Sequence, residues 1–312
     1  MLGGENLKTM RKNSQFLLLT SLLLICGCAK KPIQVKIPPS APRRGQKIVF
    51  DSNKVGKLDL FSIYPGGSKT TNLTPHAGSL NLQPAWDSYG KKIYFTSNFK
   101  GTLNIFEMNS DGKGLQQITD LKGENYSPSV SPDGTKLAFI STQSGAPELY
   151  LANSDGSKPF LLIKGKSAHP AFSPNGKMIA FVSLKKGHGR PAFIDVSGKN
   201  LLVSHLRVVP DGGPAWSPNS RSIAFIAKSK GVYKLETMHP GKRGVREILS
   251  SALPIGSPSF SPGGKHLCYM GYVKKSFYNQ HWKIFVVKRD GKNSRQITFG
   301  RSDDRDPIWF HR

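Results

Sequence analysis

The sequence predicts an all-β fold, because one strand-rich unit recurs along most of its 312 residues. Each copy opens with a proline on a short strand, passes through a Ser-Pro turn or a variant of it, and continues as an apolar run. The leading prolines lie 44, 42, 44, 44 and 49 residues apart, at Pro84, Pro128, Pro170, Pro214, Pro258 and Pro307. A period of about forty residues with four strand-like runs per unit is typical of a β-propeller, in which each unit forms one blade.

The unit that begins at Pro128 shows how a repeat divides into four strands. Residues 129–131 form a short first strand that a Pro-Asp-Gly turn closes, and residues 136–141 form an apolar second strand. Residues 148–152 are the third strand, and a Ser-Asp-Gly hairpin turn leads to residues 159–163 as the fourth. Each repeat is therefore predicted to form one four-stranded blade.

The two ends of the repeat region predict how the ring closes. Residues 46–74 contain runs that match the second, third and fourth strands of a unit, with no first strand before them. Residues 306–310 match a first strand with almost nothing after it. We expect the C-terminal strand to complete the first blade, which removes two exposed sheet edges. Five complete units and this composite blade predict a six-bladed β-propeller over residues 45–312.

Residues 1–27 are predicted to be a signal peptide. A short basic region starts at Met10, which is an alternative start to Met1, and an apolar run follows over residues 16–26. Eleven residues are too few to cross a bilayer as a helix, so this pattern favours a cleaved leader. Residues 28–44 are rich in proline and basic side chains, which predicts an extended linker between the leader and the propeller.

The leader ends in Leu-Ile-Cys-Gly-Cys, which resembles the bacterial lipobox. This resemblance implies that Cys28 becomes the lipidated first residue of the mature protein and anchors it to a membrane. An ordinary secretory signal with an incidental cysteine is the alternative. Ala29 and Lys30 resemble a signal for sorting to the outer membrane rather than the inner one, so we expect a location on its periplasmic side. After processing, only Cys28 and Cys268 would remain, and no disulfide framework is expected.

The formal net charge of the chain is +26. Basic residues occur in the loops at both ends of the predicted propeller, so the sequence does not single out one patch. Such a charge attracts polyanions, and anionic envelope polymers are candidate partners. Nucleic acid is not expected, because the chain is predicted to be exported and carries no nucleic-acid-binding motif.

Two further features recur in the units: an Asp-Gly turn, as at Asp111, Asp155 and Asp290, and a Leu/Ile-Thr ending, as at Leu73 and Ile297. With the Ser-Pro-Asp-Gly turns, they make residues 45–312 resemble the TolB-type propeller. The resemblance implies a periplasmic binding module whose partner is an envelope protein such as a peptidoglycan-associated lipoprotein. The α/β domain that precedes the propeller in TolB has no counterpart in the short linker here, which leaves roles of that domain in doubt.

Patterns typical of catalytic or metal sites are missing from the sequence. The chain has no Gly-x-Ser-x-Gly elbow, its eight histidines form no i, i+4 pair, and it has no Cys-x-x-Cys. The acidic cluster at residues 303–306 is expected to pair with Arg301 and Arg305 rather than with a metal. We therefore expect neither a cofactor nor enzymatic activity.

Loops from every blade of a propeller converge at the mouth of the central channel, so we expect the partner to bind there. The candidate residues lie near the start of the innermost strands or in the loops between blades: Asn81, Gln83, Asn125, Tyr126, His169, Arg207, Asp211, Arg301, Asp304 and Asp306. Tyr126 and the arginines have the size and hydrogen-bonding capacity of interface anchors. Two other functions stay open: a glycan-acting enzyme similar to oligogalacturonate lyases, and a basic structural lipoprotein that binds anionic envelope polymer.

Overall fold

The computed structural model describes residues 47–67, 69–75, 78–185, 188–209, 212–276 and 279–310. The signal peptide, the linker and Cys28 lie outside these residues, and their assignments stay predictions. The described part of the chain contains twenty-four strands in six antiparallel four-stranded sheets, and no helix. Accordingly, it has no helix of the length and apolarity needed to cross a membrane.

Each sheet is one blade, and its strands run in order from the centre of the ring to the outer edge. Blade 1 consists of β24 (Asp304–Trp309), β1 (Ile48–Ser52), β2 (Asp59–Ile63) and β3 (Thr71–Asn72). Blade 2 consists of β4 (Asn81–Trp86), β5 (Lys92–Ser97), β6 (Asn104–Asn109) and β7 (Gln116–Gln117). Blade 3 consists of β8 (Asn125–Val130), β9 (Lys136–Ser141), β10 (Glu148–Asn153) and β11 (Phe160–Ile163).

The other three blades follow the same order. Blade 4 consists of β12 (Ser167–Phe172), β13 (Met178–Lys185), β14 (His188–Asp195) and β15 (Leu202–Val203). Blade 5 consists of β16 (Ala215–Trp216), β17 (Ile223–Ser229), β18 (Val232–Met238) and β19 (Val245–Ser251). Blade 6 consists of β20 (Ile255–Phe260), β21 (His266–Ser276), β22 (Asn279–Lys288) and β23 (Arg295–Gln296). The predicted six-bladed, all-β fold is confirmed.

Ring closure also follows the prediction. Strand β24 pairs antiparallel with β1, so that Ile48 lies opposite Trp309 and Ser52 opposite Asp304. The Ser52 hydroxyl donates a hydrogen bond of 2.6 Å to the Asp304 carboxylate across this seam. The first blade is therefore built from both ends of the propeller, as the split repeat indicated.

The second strand of each blade is the centre of the hydrophobic core. In β1 all five residues are buried, because neighbouring blades cover both faces of the sheet. Phe50, Phe95, Phe139, Phe181 and Phe225 occupy equivalent positions in five of these strands, and none is more than 2% exposed. Cys268 is a buried free thiol in the equivalent strand of blade 6.

The Leu/Ile-Thr ending has a structural role that explains its recurrence. In blade 2 the Thr119 hydroxyl accepts a hydrogen bond of 2.8 Å from the Ile105 amide and donates one of 3.0 Å to Asn104. Thr74 and Thr298 accept the equivalent amide hydrogen bond in blades 1 and 6. The threonine thus continues the pairing of the third strand where the short fourth strand ends.

The Asp-Gly turns join neighbouring blades. A β-carbon on Gly156, which has a φ of 84°, would lie 1.9 Å from the carbonyl oxygen of Ile118 in the preceding blade. Only glycine permits this close approach and this backbone conformation together. The turn between the third and fourth strands of blade 3 can therefore pack directly on blade 2.

The strand order defines two ends of the propeller. The loops between second and third strands, and those that join successive blades, lie at one end, which we call the mouth face. The turns between first and second strands, and between third and fourth strands, lie at the opposite end, which we call the turn face. Apart from Asp211, which lies outside the described residues, the candidate residues from the sequence belong to the mouth face or to the channel beneath it.

Candidate binding site around the central channel

A ring of six residues lines the central channel, one from each blade. Each member precedes the leading proline of its repeat: Gln83, Ser127, His169, Gly213, Ser257 and Asp306. All except Gly213 have a positive φ between 44° and 54°, a conformation that residues with a side chain adopt infrequently. Each of these five positions coincides with a break in strand register. The proline that follows has no amide hydrogen to donate to the neighbouring strand. The resulting bulge changes the direction of the side chain that precedes the proline.

Gly213 completes the ring by leaving room for its neighbour. A β-carbon at this position would lie 2.5 Å from the β-carbon of His169. A larger residue would therefore displace the His169 side chain, and the two positions act together in shaping one side of the channel.

Hydrogen bonds connect the ring to the strands behind it. The Ser257 hydroxyl donates to the Asp306 carboxylate at 2.5 Å. The Gln83 side-chain oxygen accepts from the Thr96 hydroxyl and from the Ser127 amide, both at 3.1 Å. The contact between Ser257 and Asp306 joins blades 6 and 1, and the contact between Gln83 and Ser127 joins blades 2 and 3. Both restrict the positions of the ring residues.

A buried carboxyl group lies behind this ring. Asp51 in β1 is 2% exposed, and one of its oxygens accepts a long hydrogen bond of 3.5 Å from the Gln83 amide. Burial raises the pKa of Asp51 well above its ordinary value, and the negative charge of Asp306 raises the pKa further. The hydrogen bond from the Gln83 amide and, less strongly, the positive charge of Arg305 lower the pKa without cancelling these two effects. Sequence reasoning missed Asp51, because a single aspartate in a strand gives no signal of its burial.

Between the ring and the turn face, the channel widens into a cavity of about 490 Å³. Its walls are the leading prolines, the prolines of the Ser-Pro turns and the aromatic residues beside them. Four buried polar atoms on its wall have no hydrogen-bond partner among the described residues: the indole nitrogens of Trp86 and Trp309 and the hydroxyls of Ser88 and Ser127. The cavity is therefore mainly apolar with unused hydrogen-bonding groups.

The sequence candidates separate into three groups. Gln83, His169 and Asp306 belong to the ring. Asn81, Asn125 and Asp304 each begin an inner strand, but their side chains are at most 4% exposed. Each bonds to a residue in the third strand of the preceding blade: Asn81 to Asp59 at 3.1 Å, Asn125 to Asn104 at 3.0 Å and Asp304 to Lys283 at 3.0 Å. These three side chains hold neighbouring blades together, and contact between them and a partner stays a prediction.

The remaining candidates lie nearer the mouth face. Arg207 and Arg301 are exposed. Tyr126 is half-buried against the core between blades 3 and 4, and this burial raises the pKa of its hydroxyl, with a smaller contribution from Glu124. Asp211 lies outside the described residues. Partner contact by the exposed members stays a prediction.

A long hairpin in blade 6 is a further feature of the mouth face. Strands β21 and β22 are eleven and ten residues long, whereas β1 and β2 have five each. The extension carries Tyr272 and Trp282, whose rings pack 5.4 Å apart. Asp303 accepts a hydrogen bond of 2.9 Å from the Trp282 amide, and its own amide donates to Asn53 of blade 1 at 2.7 Å. Sequence reasoning missed the hairpin, although the longest repeat interval, 49 residues, is its signal.

Arg301 borders this hairpin. It lines a small cavity of about 170 Å³ together with Val273, His281 and Phe299. Beside it, His281 lies 3.6 Å from Asp303. The mouth face therefore combines exposed arginines with a rigid aromatic projection. Within the described residues, no group of three or more His, Cys, Asp or Glu side chains is placed to hold a metal ion.

Known proteins share sequence features with this chain. The family model described as the TolB beta propeller domain matches residues 30–203 and 113–311. A TolB homolog from Chlorobium luteolum is 44% identical over 41 residues, which are 13% of this chain and only 9% of that protein.

Solved structures share the fold at low sequence identity. The crystal structure of TolB from Acinetobacter baumannii superposes with a TM-score of 0.72 and 21% identity, over 86% of this chain and 67% of that one. An oligogalacturonate lyase in complex with manganese gives a TM-score of 0.56 and 13% identity, over 81% of this chain and 73% of that one. Both likenesses concern the fold alone. Since the two family-model matches together extend from residue 30 to residue 311, this chain belongs to the TolB β-propeller family.

Proposed function

We propose that this chain is a lipid-anchored binding propeller of the bacterial cell envelope, which holds a protein partner at its mouth face. The observation that carries the proposal is the convergence of loops from the blades on a rigid channel ring. Five bulged residues of that ring retain a strained backbone conformation, and such strain is concentrated at functional sites. Membership in the TolB family supports a peptidoglycan-associated lipoprotein, or a protein of that type, as the partner.

The chemistry of the mouth face favours a protein partner with acidic side chains. Arg207 and Arg301 are exposed and can form paired hydrogen bonds with carboxylates. Tyr272 and Trp282 supply large side chains that are already ordered by their mutual contact. Rigid aromatic and arginine side chains are the residues that most often dominate protein interfaces.

The proposed location is the periplasmic side of the outer membrane, with the lipid on Cys28 as the anchor. Its support is the lipobox-like end of the leader and the family resemblance. In this arrangement the linker of residues 28–44 separates the propeller from the membrane and gives it reach toward the partner.

Affinity capture from solubilised envelopes, analysed by mass spectrometry, tests the binding function. We expect wild-type protein to retain an envelope protein, and the double variant Arg207→Ala with Arg301→Ala to retain at least about tenfold less. Both arginines are exposed, so the melting temperature should not change. The control is Lys113→Ala with Lys292→Ala, which removes two exposed charges from the turn face. Equal losses in both double variants would contradict a specific site at the mouth.

A second candidate function is suggested by the likeness in fold to an oligogalacturonate lyase with manganese. An enzyme of this kind would cleave an acidic glycan within the channel. Incubation of the purified chain with polygalacturonate and Mn²⁺ tests it directly, because lyase products absorb in the ultraviolet. Turnover that is lost in a His169→Ala variant would favour the enzyme over the binding module.

A further inference from the structure

The fourth strands of blades 3, 4 and 5 differ from those of blades 1, 2 and 6. The strands β3, β7 and β23 each contain two polar residues and lead into a Leu/Ile-Thr ending. The strands β11, β15 and β19 instead carry the apolar runs Phe-Leu-Leu-Ile, Leu-Val and, within a longer strand, Ile-Leu. The threonine that closes the other blades is absent from these three. Three consecutive blades therefore have apolar residues in the strand at their outer edge. We call this edge, formed by residues 155–166, 195–206 and 239–251, the blade 3–5 rim.

Large apolar side chains are exposed on this rim. Six of them are between 38% and 50% exposed: Phe160, Leu161, Leu201, Leu202, Val203 and Val245. The corresponding segments of the other three blades expose only Leu115 and Phe299 among their described residues. Packing in the core does not account for six partly exposed side chains in equivalent segments of neighbouring blades. These side chains are accessible from outside the propeller.

Contacts between blades make the rim continuous. A β-carbon on Gly198 in blade 4 would lie 3.4 Å from the Leu162 side chain in blade 3. In the same way, a β-carbon on Gly241 in blade 5 would lie 3.9 Å from the Leu202 side chain in blade 4. The turns between the third and fourth strands of blades 4 and 5 therefore pack beside the apolar fourth strand of the preceding blade.

Basic side chains are interleaved with these apolar ones. Segments 155–166, 195–206 and 239–251 contain seven Lys and Arg residues and three acidic ones. All seven basic residues are exposed: Lys158, Lys164, Lys166, Lys199, Lys242, Arg243 and Arg246. The three carboxylates already have partners within 2.8 Å: Asp155 with Ser157, Asp195 with Asn200 and Glu247 with Lys234. The basic charges of the rim are thus largely available to an external anion.

We propose that the blade 3–5 rim binds the surface of an anionic lipid bilayer. Partly exposed leucine, valine and phenylalanine side chains can enter the boundary between headgroups and acyl chains, while lysine and arginine bind the lipid phosphates. An anionic polymer would use the charges but would leave the apolar side chains in water. The contact uses the outer edge of blades 3–5 rather than the central channel, and it does not depend on the lipid at Cys28 or on the proposed partner.

Vesicle co-sedimentation tests the proposal with the predicted mature chain, residues 28–312, carrying Cys28→Ser, so that neither the leader nor an acyl anchor contributes. The probe is phosphatidylcholine vesicles with about 30% phosphatidylglycerol, compared with phosphatidylcholine alone. We expect two rim variants, Phe160→Ser with Leu202→Ser and Lys158→Glu with Lys199→Glu and Lys242→Glu, each to lower partitioning into anionic vesicles by at least about tenfold. The substituted side chains are exposed, so unchanged melting temperatures verify that both variants fold.

Matched controls come from equivalent segments of the other blades. They are Leu115→Ser with Phe299→Ser for the apolar variant, and Lys69→Glu with Lys113→Glu and Lys292→Glu for the charge variant. These should change partitioning by less than about twofold. An equal loss in the charge control would show attraction by net charge alone and overturn the rim as a site. Full binding by the apolar rim variant would also overturn it, because a purely ionic surface such as a polymer would then suffice.

Discussion

Asp51 is a single buried side chain whose protonation affects the stability of the folded protein. Its carboxyl group is buried beside the ring, it has one long hydrogen bond from the Gln83 amide, and Asp306 lies close enough to repel its charged form. Its pKa is therefore raised in the folded protein, and the folded state binds a proton more tightly than the unfolded chain does. Between the ordinary value of 3.8 and the raised value, stability falls as the pH rises.

Replacing Asp51 by Asn should therefore raise the melting temperature at pH 7, since the amide occupies the same space without a charge. Below an ordinary aspartate pKa of about 3.8, both proteins carry a neutral group there, and the difference should disappear. Thermal unfolding of both proteins at the two pH values measures this. Asp290→Asn, in an exposed turn, is the control and should show no such dependence on pH. A D51N protein that is less stable than wild type at pH 7 would mean that Arg305 keeps Asp51 ionised.

At the scale of strands and turns, the repeat predicts most of the fold, because each of its motifs has a local physical cause. Gly156 in the Asp-Gly turn and Thr119 in the Ile-Thr ending are examples, and both belong to motifs that recur at a fixed spacing in the sequence. Burial of polar residues at strand starts is different. Asn81 and Asn125 look like exposed loop residues in the sequence, and only the third strand behind them supplies the partners that allow their burial.

Strand β24 is the element whose loss should be most damaging. Deleting residues 305–312 removes nearly all of this strand, including the buried Trp309 and Phe310. Phe310 also packs 5.5 Å from Trp86 of blade 2, so the deletion opens one sheet and one interface between blades. Truncating one buried aromatic residue costs about 3–5 kcal/mol, within a total stability of about 5–15 kcal/mol.

We therefore expect the truncated chain to melt at least about 10 °C lower than the full chain or to lose cooperative unfolding. Removing residues 311–312 alone leaves β24 in place and is the control. Calorimetry that gave the same melting temperature for all three proteins would contradict closure of the ring by β24.

The propeller as a whole presents two functional surfaces in these proposals. The mouth face carries the arginines and the blade 6 hairpin for a partner, while the outer edge of blades 3–5 carries the rim for a bilayer. A lipid at Cys28 would add a second, stronger attachment to the membrane. Two weak signals used together are the usual route to stable membrane binding.

Fractionation of cells that produce Cys28→Ser tests the anchor. We expect this variant to remain an unprocessed precursor or to be released from membranes by high salt, because screening weakens the ionic contacts of the rim. The wild-type protein should resist the same wash. Cys26→Ser is the control, since Cys26 is predicted to leave with the signal peptide. Salt-resistant attachment of a processed Cys28→Ser protein, from which the leader has been removed, would exclude lipidation as the anchor.

The seam between β1 and β24 also dictates the order of events during biogenesis. Ser52 and Asp304, which bond across it, are 252 positions apart, so blade 1 must wait for nearly the entire chain to emerge before its sheet can form. Until then the edge of β1 is open, in a compartment where neighbouring chains are also folding. Contacts between such distant positions slow folding and prolong exposure of this edge. A chaperone that covers residues 48–52 until β24 is available would therefore relieve the step most prone to misassembly.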